Sequence, residues 1–133
     1  MSDKGIDTTN FDQAPRLVSS NGLAGTAVLS RDGDRIGSVA AFLVDPYSGY
    51  AKYIVVAAGG VLGMGQSYHP IPWDLLRFDP ARGGYVVSID KTVLDGGPSF
   101  KTGSEPTFDR TYTDRVLSYF GSTIPPAITP TRV

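Results

Sequence analysis

Ser67, His69 and Asp74, all within the stretch SYHPIPWD, are the nearest thing in this 133-residue sequence to a nucleophile, a base and an orienting acid. A hydrolytic triad needs such groups to converge beside a separate oxyanion hole. Eight residues of a strand interrupted by Pro70 and Pro72 do not bring three side chains to one point, so they read as polar rim residues. His69 is the only histidine and there is no cysteine. Zinc would then need several carboxylates around one imidazole, an uncommon donor set. No metal and no cofactor is expected. The run GGVLGMGQ, residues 59–66, has the glycine content of a phosphate-cradling loop, but it lacks the Lys-Ser/Thr of a P-loop and the spacing of the dinucleotide fingerprint. It reads as a turn. Asp32, Asp34 and Asp45 occupy turn positions where aspartate commonly bonds local backbone, which leaves no acid–base pair. The expectation is a protein that is not an enzyme.

Contact chemistry is better represented. Tyr47, Tyr50, Tyr68 and Trp73 flank turns, and Tyr and Trp suit places where an apolar body meets water or a partner. Trp73 divides between filling one end of the fold and touching a partner. Leu62 and Met64 stand on the glycine-rich loop with little neighbouring sequence to cover them. The candidate partner-binding residues are therefore Leu62, Met64, Tyr68, Trp73 and Tyr47. The first four are expected to line or border a symmetric dimer contact.

The elements that position these residues are short. Sixteen Gly, ten Pro and twelve Asp against the single Glu105 favour turns over helices. GTAVLS, the turn RDGD with Gly33 at positive φ, and RIGSVAAFLVD read as a hairpin. Ile36 and Val39 are three apart, so both reach the core only if a bulge falls at Gly37. Val39, Ala41 and Leu43 are then expected to share the core face. The turn Asp45–Gly49 leads to YAKYIVVAA, a strand with both faces covered. SYHPIP is confined to an edge or rim by its prolines. WDLLRF is one turn of helix or an irregular turn entering a brief strand, and YVVSID is the last clear strand. Residues 108–120 carry apolar side chains at near-helical spacing, with Thr113 as the expected cap and Gly121 as the stop.

Twelve basic against thirteen acidic residues show neither the excess nor the stripe of a nucleic-acid binder, so direct contact with nucleic acid is not expected. No run is long enough to span a bilayer and none at the start matches a secretory signal, which makes the cytoplasm the default. In order and spacing, four segments are carriers of a family likeness: the hairpin with Gly33 and Ile36-Gly37, the Asp45–Gly49 turn, the Gly60–Gly65 segment, and Ile71-Pro72-Trp73 followed by Leu75 or Leu76. Over roughly Leu23–Phe100 the chain resembles the PRC-barrel domain, found in the photosynthetic reaction centre H subunit and in a ribosome maturation factor. That resemblance implies a small β-barrel used for interaction or assembly, with no family-wide catalytic residues.

The expected architecture is mainly β: a small antiparallel barrel of about six strands with a short C-terminal helix. The expected layout is an arm over 1–22, the barrel domain over 23–100, a helical extension over 101–121 and a Pro-rich tail over 122–133. The expected function is a protein-interaction module that forms a homodimer; the alternative is a ribosome-assembly accessory binding a ribosomal protein.

Overall fold

A computed structural model describes residues 17–59 and 65–123. The first described element is helical, α1 (Ser20–Leu23), capped by the Ser19 hydroxyl, which accepts from the Asn21 N–H at 3.1 Å; it straddles the expected boundary between arm and barrel domain. β1 (Ala27–Leu29) then enters a turn held by the buried Ser30 hydroxyl, which accepts from the N–H groups of Asp32 and Asp34. Gly33 takes φ +92°, the left-handed conformation anticipated for it. β2 (Arg35–Val44) returns antiparallel with one extra residue, since Val28 faces Gly37 while Leu29 faces Arg35. This bulge buries both Ile36 and Val39. A Cβ on Gly37 would lie 2.5 Å from the Ala57 carbonyl oxygen, so the ladder needs glycine there for close approach. A second register shift, between Val39 and Ala41, changes the phase again. Ala41 is consequently exposed, and Phe42 and Leu43 become half-buried, which corrects the Val39–Ala41–Leu43 face.

β3 (Ala51–Ala58) pairs antiparallel with β2 and with β4 (Ser67–Pro72). Ile54 and Val56 stand opposite Ile71 and His69 on one face; Tyr53, Val55 and Ala57 stand opposite Pro72, Pro70 and Tyr68 on the other. All five of those β3 side chains are buried, so both faces are covered as expected. A 3-10 turn, Trp73–Leu75, enters β5 (Leu76–Asp79), and β6 (Gly84–Val87) follows. α2 (Lys91–Gly96), which the sequence reading did not include, is capped by the Asp90 carboxylate accepting from the Val93 N–H at 2.9 Å. β7 (Phe100–Lys101) is a two-residue strand, and α3 (Arg110–Thr123) closes the described chain. The cap of α3 is Asp109, whose carboxylate accepts from the Tyr112 N–H at 3.0 Å. It replaces Thr113 in that role, and the helix runs through Gly121 instead of stopping there.

The seven strands lie in the order β5-β6-β1-β2-β3-β4-β7. Two features correct the expected six-stranded antiparallel barrel. β1 pairs parallel with β6, and among the described residues the ladder ends at β5 and β7 without closing. Closure would need these edges to meet, but β7 is too short, and the flank of β4 beyond Tyr68 carries Pro70 and Pro72, which have no N–H to donate. Helices fill in where the ladder stops. Leu94 of α2 and Tyr112, Val116 and Phe120 of α3 join Val28, Ile54, Ile71 and Val87 in one core. No helix among the described residues is long and apolar enough to cross a membrane.

Candidate functional site

β4 separates two of the expected contact residues. Tyr68 and Trp73 are five positions apart, which at ~3.3 Å per residue sets them ~17 Å from each other at opposite ends of the strand. They do not share a patch. Leu62 and Met64 lie outside the described residues.

At the Tyr68 end the chain satisfies itself. The Tyr68 ring stacks on Phe100 at 5.6 Å, Phe100 meets Phe108 at 5.8 Å, and Phe108 meets Tyr112 at 5.5 Å, carrying an aromatic row from the sheet to α3. The Tyr68 hydroxyl accepts from the Thr102 hydroxyl at 3.2 Å and donates to Gln66 Oε1 at 3.4 Å. Lys101 Nζ donates to Ser67 Oγ at 2.9 Å and to the Gly65 carbonyl at 3.3 Å. Next along the strand, His69 is buried, with Nδ1 unpartnered and a hydrogen bond to the Leu94 backbone. Burial pushes its pKa down, partly opposed by Asp95. Ser67 is thus held by Lys101, His69 is packed beneath α2, and Asp74 faces a different surface. The three do not assemble into a triad. Among the described residues no group of three His or acidic side chains is placed to hold a metal ion.

The Trp73 end is open. Trp73 meets Phe42 and Tyr85, each at 5.9 Å between ring centroids, and Tyr85 meets Phe78 at 5.2 Å. On its outer side lies a groove of about 1110 Å³ whose walls come from the β2–β3 turn, the start of the 3-10 turn and α3. Phe42, Tyr53 and Trp73 line it, with Phe108, Thr113 and Leu117 opposite. The turn is rigidly built: Asp45 Oδ1 accepts from the Tyr47 N–H at 2.9 Å, the Gly49 N–H donates to the Asp45 carbonyl at 2.7 Å, and Gly49 takes φ +80°. The Tyr47 N–H also holds the Asp45 carboxyl below its ordinary pKa, so it stays ionised. Tyr53 keeps its phenol protonated to higher pH than usual because burial disfavours the phenolate; Thr113 of α3 hydrogen-bonds it.

Along this groove the chain leaves apolar surface uncovered. Tyr50 is 68% exposed, Val44 51% and Leu117 49%. Trp73 is half-buried, which divides its area between core and groove. Tyr47, at the tip of the neighbouring turn, is 98% exposed. The structure thus brings Trp73 and Tyr47 to one end and leaves Tyr68 at the other. Sequence reasoning missed Val44, Phe42 and Leu117: the direction of the first two is set by register shifts between Val39 and Ala41 and between Leu43 and Val44, and the partner face of α3 depends on tertiary packing.

The family model described as PRC-barrel domain matches residues 16–94. No curated protein matches the chain. The match ends in α2, so the α3 wall of the groove lies outside it. With more than half of its length covered by that model, the chain belongs to the PRC-barrel domain family.

Proposed function

We propose that the chain is a non-enzymatic protein-interaction module whose docking face is the Trp73 groove, a second copy of the chain being the first partner to test. One observation carries this reading: aromatic and aliphatic side chains line an open groove whose rim residues Val44, Tyr50 and Leu117 remain about half or more exposed. Clustered apolar surface with a polar rim is what protein contacts use, and buried aromatics supply most of their energy. The turn and the helix that form the walls are both anchored by hydrogen bonds, so little ordering cost falls on binding.

Sedimentation velocity on the intact chain and on a Tyr50→Ser/Leu117→Ser variant tests it. A reversible dimer at high micromolar concentration that the variant loses is the expected result. A strict monomer removes the second copy as partner. Cross-linking in the native host then decides the rest: partners recovered equally well by the variant and the native chain would overturn the groove as the docking face.

A further inference from the structure

We propose that β5 is a self-pairing edge: two copies of the chain join these strands antiparallel about a two-fold axis at Phe78, with Arg77 of each copy opposite Asp79 of the other. This contact is separate from the Trp73 groove and does not need the groove to dock anything. The backbone sets its register. Among the described residues β5 is the last strand of the ladder on its side. The Ser88 N–H donates to the Leu75 carbonyl at 3.1 Å, and Arg77 stands opposite Val86 and Phe78 opposite Tyr85. Hydrogen-bonded and non-hydrogen-bonded pairs alternate along an antiparallel ladder. Leu75, Arg77 and Asp79 therefore turn their amides and carbonyls towards β6, and Leu76 and Phe78 turn theirs away from it. The Leu76 N–H already donates to the Trp73 carbonyl, and Pro80 has no N–H. Phe78 is thus the one residue of the strand with both an N–H and a carbonyl on the outer edge. A second β5 can answer both only with its own Phe78.

The side chains agree with that register. Phe78 on Phe78 sets Arg77 across from Asp79 twice, giving two opposite-charge pairs, whereas an edge of one sign would repel its copy. Within one molecule the Arg77–Asp79 contact is loose at 3.9 Å, and the Arg77 side chain is largely exposed, so it can turn to a second copy. Asp79 is held in place by the Ala81 N–H at 3.1 Å and by Arg82 at 3.5 Å. The Phe78 ring meets Tyr85 at 5.2 Å on one side and is still 48% exposed. Across the axis it would meet the ring of its copy and lose that exposure. Pro80 limits the ladder to one reciprocal pair of hydrogen bonds, so the contact is small and its dissociation constant is on the order of 1 mM. Where the groove also joins copies, edge pairing links those pairs into larger assemblies.

The test uses the full chain carrying Tyr50→Ser/Leu117→Ser, which removes the groove contact, followed by nuclear magnetic resonance and sedimentation from ~0.1 to ~2 mM, a range that brackets the expected constant. The expected result is weak self-association, with resonance shifts and amide protection centred on Phe78 that grow with concentration. Adding Arg77→Asp leaves two carboxylates on the edge, and adding Asp79→Arg leaves two guanidinium groups. Each of these chains alone is expected to stay monomeric, while an equimolar mixture regains a one-to-one dimer. Asp79→Arg also removes the contact to Ala81, so the mixture is made at a temperature where circular dichroism shows both chains folded. Phe78→Ser leaves that turn intact and should weaken pairing about tenfold. Absence of association up to the highest concentration would overturn the proposal, as would a mixture that stays monomeric or pairing that Phe78→Ser leaves unchanged. A Phe78 amide equally protected at every concentration would overturn it too, since the edge is then covered within one molecule. None of these outcomes bears on the groove, whose own test is the loss of the high-micromolar dimer in Tyr50→Ser/Leu117→Ser. A failure there leaves the edge standing.

Discussion

The two ends of β4 start from similar material, an aromatic residue beside backbone-breaking neighbours, and finish differently. At Tyr68 the ring is stacked, its hydroxyl has two partners, and a two-residue strand and a lysine seal the flank. At Trp73 the ring is packed on one side only, and Val44, Tyr50 and Leu117 continue the apolar surface into solvent. An aromatic residue beside a turn therefore carries little functional information by itself. What distinguishes scaffold from docking surface is whether the same chain supplies both the ring contact and the polar partner.

This contrast predicts that substitutions along the sealed face cost stability, while substitutions along the groove cost binding and little stability. The largest effect is expected for Phe120→Ala, which empties a buried position where α3 meets the core and should lower unfolding free energy by ~3–5 kcal/mol in a urea titration. A loss below ~1 kcal/mol would mean that α3 is not a clamp and that the two ends are equally loose. Gly97→Ala comes next. Its Cβ would meet Tyr119 Cε2 at 2.8 Å and disturb the 2.6 Å bond from the Tyr119 hydroxyl to the Val93 carbonyl, costing ~1–3 kcal/mol. An unchanged thermal midpoint would show that the α2–α3 clasp is slack.

His69 gives the contrast a pH signature. Its folded pKa is depressed by burial, so between that value and ~6.5 the unfolded chain binds more protons than the native one. Its contribution is fully present above ~6.5 and is lost as pH falls below that. With a single histidine in the chain, a decline in thermal midpoint between pH 7 and 5 should flatten in His69→Gln. An equally steep decline in the variant would assign it to other groups. The smallest effects are expected at Tyr112 and Leu117. Tyr112→Phe removes a buried hydroxyl with no partner and should be neutral or stabilising by up to ~1 kcal/mol. Leu117→Ser should shift stability by no more than ~0.5 kcal/mol.

Much of this layout can be read from the residues. Gly33, the Ile36–Gly37 bulge, the Asp45–Gly49 turn and the apolar stripe of α3 each follow from a local rule, and each is found. The second bulge does not follow, because a register shift depends on what the neighbouring strand buries, and it turns Ala41 outward. α2 was legible in principle, through Asp90 before it and the Gly96-Gly97 pair at its end, but it is only six residues long. The open ladder and the parallel pair are non-local and leave no periodic trace. Trp73 and Tyr47 are expected as contact residues from their places beside turns; that Tyr68 lies at the other end needed only the length of β4.

The parallel pairing of β1 with β6 has a consequence for how the chain is made. β1, the first of the described strands, stays without its second neighbour until residues up to Val87 have emerged. Sheets with such distant partners fold slowly, on the millisecond-to-second scale. Until β6 arrives, β1 offers a bare row of amides and carbonyls to any passing strand. A nascent polypeptide halted before Gly84 is thus the species most prone to aggregate, and β6 is the piece whose arrival ends that exposure.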